Sequence, residues 1–225
     1  MSTENALLVP GSWHGAWAYE DVVPRLTDAG VAVTVIDLPS NGGEAGLADD
    51  AEAVRSALAG IGEPTVVVGH SYGGIAVSEG AAESPQAVGL VYLAAFMLDL
   101  GESLLDAMQH QLPDWISVDQ AAGSHIAVRS EEVLYGDCPP EVAAGAAARL
   151  TRQSVAAIAT PQMAAAWQTL PSTYLICDED RAVPPPVQEA MGARATIVRR
   201  VPASHSPFFS RPGDVVDVVL QALGR

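Results

Sequence analysis

Short apolar runs rich in valine, isoleucine and leucine recur along the chain, and longer stretches with apolar residues at helical spacing separate them. Residues 6–9 form the first run, stopped by Pro10-Gly11. Residues 31–36 form the second, and the polar loop 37–43 follows it. The third and fourth are 64–68 and 87–93. Between them, 19–29 (closed by Gly30), 47–58 and 75–82 carry helical patterns. From about residue 96 to 171 the rhythm stops. No convincing strand run occurs there, but Ala-rich helical patches do, such as 141–150. The alternation then resumes with a strand at 173–177, a helix at 185–191 opened by prolines, a strand at 195–198 and a terminal helix at 212–223.

Continuously apolar strands that alternate with helices predict a mostly parallel sheet covered by helices on both faces. An insertion as long as 97–171 inside such a series predicts a cap rather than a loose loop. The expectation is one α/β domain spanning 1–225, with a helical cap inserted before the last two strands.

Composition narrows the partners. With 11 Lys and Arg against 27 Asp and Glu, the net charge is −16. That argues against nucleic acid and anionic membranes, both of which need clustered basic residues. No apolar run approaches bilayer length, and the first residues lack the pattern of a secretory leader. A cytoplasmic protein is expected. Cys138 and Cys177 lack metal-type spacing and are read as reduced, structural thiols. Whether the chain forms a homodimer stays open at this level.

The chemistry centres on Gly69-His70-Ser71-Tyr72-Gly73-Gly74, a G-x-S-x-G pattern between a buried strand and a small-residue helix. Such a turn holds a serine in strained backbone with its hydroxyl clear of the sheet. A serine hydroxyl needs a base to remove its proton, and the base needs an orienting acid. In this arrangement the order along the chain is serine, acid, histidine. His205 follows the last strand and is the histidine downstream of Ser71 that lies outside the insertion. Asp178, Glu179 and Asp180 follow the strand ending at Cys177; Asp180 is favoured, Asp178 comes next, and Asp99 is the rival after the earlier strand. His70 is expected to pack beside the site, and His110 and His125 to be pocket or surface groups. Two N–H donors are needed for the oxyanion. Tyr72, just after the serine, supplies one, and Ser12 in the loop after the first strand supplies the other. Trp13, His14, Met97, Trp115 and Phe208 are the expected substrate contacts.

Four segments together, Gly11-Ser12-Trp13-His14-Gly15-Ala16-Trp17, Gly69 to Gly74, Cys177-Asp178-Glu179-Asp180 and Ser204-His205-Ser206-Pro207, resemble the α/β-hydrolase superfamily. Within it the chain looks most like the branch of plant methyl esterases, hydroxynitrile lyases and bacterial pyrethroid-hydrolysing carboxylesterases. The cap segment Tyr135-Gly136-Asp137-Cys138-Pro139-Pro140 is also similar to that branch. The resemblance implies a Ser71–Asp180–His205 triad and an oxyanion hole from the Ser12 and Tyr72 amides.

Two departures stand out. Pro10-Gly11 replaces the His-Gly usual after the first strand. Ser206 follows His205 and Gly11 stands in the oxyanion loop, where the lyases of the branch carry lysine and threonine. Hydrolysis of small, neutral or hydrophobic carboxylic esters is therefore expected, with no metal or organic cofactor. A lyase and a non-catalytic small-molecule receptor on the same scaffold are the alternatives.

Overall fold

The computed structural model describes residues 4–225. Its elements in chain order are β1 (Asn5–Val9), α1 (Val23–Asp28), β2 (Ala32–Val35), α2 (Leu47–Ile61), β3 (Thr65–His70), α3 (Gly73–Gly80) and β4 (Ala87–Leu93). The inserted segment follows with α4 (Leu104–Ala107), β5 (Ile116–Asp119), β6 (Ser124–Ala127), α5 (Ser130–Leu134), α6 (Pro140–Ala147), β7 (Gln153–Ser154) and α7 (Val155–Ala159). Then come β8 (Ser172–Cys177), α8 (Pro185–Gly192), β9 (Ile197–Val201), α9 (Pro207–Ser210) and α10 (Pro212–Ala222).

Six strands form one sheet in the order β2-β1-β3-β4-β8-β9, and every neighbouring pair is parallel. The apolar runs are continuous because both faces are covered. Along β3, Val67 joins one core layer with Leu47, Val54, Leu58 and Ile75, while Val66 and Val68 join the other with Leu26, Val215 and Val219. Each such side chain, fully buried, contributes about 1.5–3 kcal/mol of transfer free energy. Charged residues therefore appear in these strands only at the sheet edge. Strand β9 is that edge, and most of it is exposed. Its polar Arg199 and Arg200 hid it from the hydrophobic pattern, so the strand runs over Ile197–Val201 rather than 195–198.

Helix α2 buries Leu47, Ala51, Val54 and Leu58, a stripe at three- and four-residue spacing. The Asp49 carboxylate accepts the Gly46 N–H at 2.9 Å, and Gly62, at φ +72°, ends the helix. The helix expected over 19–29 is divided. A 3₁₀ turn at Ala16–Tyr19 precedes α1, which starts only at Val23 with Pro24 in its first turn, where the missing N–H costs nothing.

The inserted segment corrects the expectation of a purely helical cap. Strands β5, β6 and β7 form a small antiparallel sheet. These strands are four, four and two residues long and carry few apolar residues, too short to register as strand runs. Strand β7 is tied to the loop after β2: the Ser154 N–H donates to the Ser40 carbonyl at 3.0 Å, and the Gln153 amide donates to the Ser40 hydroxyl at 3.0 Å. Cys138 and Cys177 are free thiols. Among the described residues no helix is long and apolar enough to cross a membrane.

Candidate active site

Ser71 immediately follows β3 and has φ +51°, a left-handed conformation that costs a side-chain-bearing residue energy. Neighbouring backbone holds it there. Its N–H donates to the Leu93 carbonyl at 3.2 Å, and its carbonyl accepts from Phe96 at 3.0 Å and Gly74 at 3.1 Å. The turn is so tight that a Cβ on Gly69 would meet the Gly73 carbonyl oxygen and the Gly74 Cα at 2.9 Å. Tyr72, the next residue, is buried and donates its hydroxyl to Asp50 at 2.6 Å. Burial raises the pKa of Asp50, whose other oxygen accepts the Ser40 N–H at 2.9 Å. The elbow, α2 and the loop after β2 are joined by this one carboxylate.

Asp180 lies in the turn after β8, with its side chain fully shielded. One oxygen accepts the N–H groups of Ala182 at 2.7 Å and Val183 at 2.9 Å. The other meets the Gln188 amide at 2.9 Å and the Nδ1 of His205 at 2.7 Å. A carboxylate only accepts, so His205 Nδ1 carries the proton and Nε2 is left as a base. The rival acids are engaged elsewhere. Asp178 is bound to Arg200 at 2.6 Å on the surface, and Asp99 faces Arg194 at 3.4 Å.

His205 is positioned from behind by His70, whose Nε2 donates to the His205 carbonyl at 2.9 Å. The two rings lie 4.7 Å apart. Burial, with the neighbouring His205 and His14 imidazoles, holds the His70 pKa well below its ordinary value.

The loop after β1 places Ser12. Trp13 there has φ +66°, and one side chain holds the strained turn. Asn41 accepts the Trp13 N–H at 2.8 Å and donates to the carbonyls of Gly11 at 3.0 Å and His14 at 2.8 Å. The Ser12 carbonyl accepts from His14 Nδ1 at 2.9 Å, and His14 Nε2 accepts the Tyr135 hydroxyl at 2.7 Å. Among the described residues, the amides of Ser12 and Tyr72 donate to no other protein group. A Cβ on Gly11 would lie 2.8 Å from the Ser71 Cβ, so the loop can approach the elbow only with glycine there.

Ser12, Ser71 and His205 open into one cleft, walled by Trp13 and Phe96 and, from the inserted segment, by Leu104, Met108, Trp115, His125 and Ile158. Trp115 meets Trp13 edge to face at 6.0 Å. Three expected substrate contacts do not reach this cleft. Met97 is fully buried, with its N–H on the Met191 sulfur at 3.3 Å. Phe208 packs behind the site, 4.8 Å from the His70 ring. His14 lies beneath the Ser12 loop, and burial lowers its pKa to about 4. His110 is exposed against Asp106.

Sequence reasoning missed Asn41, Gln188 and Tyr135. Asn41 sits in a polar loop that gives no pattern. Gln188 is a polar residue on the buried side of a short helix, and that mismatch is a usable signal in retrospect.

The family model described as "Alpha/beta hydrolase family" matches residues 6–218. An alpha/beta hydrolase of Aspergillus novofumigatus, nvfD, is 34% identical over 239 residues, covering 97% of this chain and 96% of that protein. A pyrethroid hydrolase of Sphingobium wenxiniae is 28% identical over 244 residues, covering 97% and 87%. Among solved structures, a pyrethroid hydrolase from Sphingobium faniae superposes with a TM-score of 0.84 at 26% identity, covering 98% of this chain and 97% of that one. The elbow at Ser71, the parallel sheet beneath it and a match running almost from end to end agree: the chain belongs to the alpha/beta hydrolase family.

Proposed function

We propose that this ester-cleaving hydrolase uses Ser71 as its nucleophile, His205 as general base and acid, and Asp180 as the group that orients His205. The observation that carries the reading is the meeting in one cleft of a serine at positive φ and a histidine whose Nδ1 is engaged by a fully shielded aspartate. Ser71 Oγ attacks the ester carbonyl carbon while its proton passes to His205 Nε2. The negative charge that develops on the carbonyl oxygen is met by the N–H groups of Ser12 and Tyr72. His205 then gives its proton to the departing alkoxide as the tetrahedral species collapses to an acyl-enzyme. Water, deprotonated by the same nitrogen, attacks the acyl carbon, and the acid leaves as Ser71 recovers its proton.

The chain acts as one domain, in which the inserted segment caps the cleft and selects the substrate. The apolar walls suit a small, neutral or hydrophobic ester, and Trp13 and Trp115 are the aromatic contacts. We place the enzyme in the cytoplasm, working on a small molecule without metal or organic cofactor.

A panel of p-nitrophenyl esters of graded chain length, with lactones and cyanohydrins included, tests this. Ester turnover that saturates with concentration is expected. Cyanohydrin cleavage without ester turnover would identify a lyase, and binding without turnover a receptor.

A further inference from the structure

We propose that His125 determines specificity by offering a neutral imidazole to a hydrogen-bonding oxygen on the part of the ester that extends away from Ser71. The inference rests on the hydrolase reading and adds the substrate feature that the cleft selects.

The four buried histidines differ in how the fold uses their rings. His14 engages both nitrogens, through Ser12 and Tyr135. His205 and His70 each engage one, through Asp180 and the His205 carbonyl. Among the described residues His125 engages neither, although it is only 1% exposed. Leaving a buried imidazole without partners destabilises the folded protein, so such a group in a cleft wall points to a ligand. Apart from Ser12, Ser71, His205 and His125 itself, the side chains that line the cleft are aliphatic or aromatic. His125 is therefore the one polar feature that the proposed chemistry does not already use.

Its position is also set in advance. His125 lies on the central strand of the small sheet, in register with Val118 on one side and Gln153 on the other. Its carbonyl accepts the Trp13 indole N–H at 3.2 Å, and its ring stands edge-on to Trp13 at 5.5 Å and 80°. The ring thus faces the cleft from a braced strand, beside the residue that follows Ser12. Burial lowers its pKa to about 4, so at neutral pH it is uncharged, with one donor and one acceptor. A neutral ring edge-on to Trp13 brings no charge to offset the desolvation of a carboxylate. The geometry fits a neutral ester carrying an ether, carbonyl or hydroxyl oxygen beyond the scissile group, in preference to a plain hydrocarbon chain.

The test compares isosteric esters: p-nitrophenyl hexanoate against p-nitrophenyl 4-methoxybutanoate and 3-ethoxypropanoate, each rate divided by its own hydroxide-catalysed rate. The wild-type enzyme is expected to favour at least one oxygen-bearing ester by about tenfold or more in kcat/KM. His125→Phe should reverse that preference, and His125→Gln should keep part of it, with the melting temperature of each variant measured alongside. A wild-type enzyme that prefers hexanoate over both oxygenated esters overturns the proposal without any variant. So does a folded His125→Phe with an unchanged ratio. If no ester is turned over and a fluorophosphonate leaves Ser71 unlabelled, the hydrolase reading fails and this proposal with it.

Discussion

The carboxyl edge of the large sheet and the inserted segment facing it present very different surfaces to the same cleft. At the sheet edge each reactive group is held by polar contacts on its far side. Ser71 is held by Leu93 and Phe96, Asp180 by two backbone N–H groups and Gln188, and His205 by Asp180 and His70. The inserted segment meets the cleft with Leu104, Met108, Trp115 and Ile158, together with a histidine whose ring nitrogens engage no group among the described residues. Its own core is a small cluster around Trp115, Leu134 and Tyr135, joined to the body through Trp13. Proton transfer needs angles fixed to a fraction of an ångström, which hydrogen bonds behind the site supply. Choosing a substrate needs a dry wall of the right shape, which apolar side chains on short strands supply. In the function proposed above, the chemistry is built into the sheet and the selection into the insert.

That contrast can be broken at several points. Among the groups that hold the reacting side chains in place, the largest effect is expected at Asp180. Asp180→Asn should lower kcat by about 10³–10⁴-fold, because the amide no longer fixes the imidazole with its proton on Nδ1. Asp178→Asn and Asp99→Asn, whose partners are surface arginines, should stay within about twofold. Steady-state kinetics of the three variants decide between the acids; a collapse in Asp99→Asn would move the acid to the turn after β4.

A smaller loss is expected at Asn41, which contributes no group to the reaction but holds the turn that presents Ser12. Asn41→Ala should lower kcat by about 10–100-fold with KM little changed, since a misplaced oxyanion donor weakens the transition state more than the ground state. Affinity for a trifluoromethyl ketone should fall with kcat. A rise in KM alone would show that the loop binds substrate and does not stabilise the oxyanion.

The smallest effect is expected in the insert. Trp115→Ala should change the relative kcat/KM across ester chain lengths by a few-fold, mainly through KM, and leave the shape of the pH–rate profile as it was. Loss of the basic limb of that profile would place a proton-transfer group in the insert and erase the division between the two regions.

The same division explains what could be read from the sequence. The strands of the large sheet are covered on both faces and so read as unbroken apolar runs, which located β1, β3, β4 and β8 and the turns after them. Ser71 and Asp180, the proposed nucleophile and acid, stood out because they sit where those runs end. The edge strand β9 was displaced in the reading because Arg199 and Arg200 face solvent. The strands of the insert were invisible because each is at most four residues long. Met97 and Phe208 were misplaced for another reason. An apolar residue near a site looks the same in sequence whether it faces the cleft or packs beneath it. His14 shows the limit for polar residues, since one of its two partners, Tyr135, reaches it only when the insert folds onto the body.

The account depends most on Ser71 becoming acylated, and covalent labelling tests that directly. The wild-type protein would be treated with a fluorophosphonate and digested, and the modified peptide identified by mass spectrometry. The account predicts one adduct, on Ser71, that forms far more slowly in His205→Ala and is absent in Ser71→Ala, with ester turnover in the latter lowered by about 10⁴-fold or more while the protein stays folded. An adduct on a different serine, or undiminished turnover in Ser71→Ala, would contradict it.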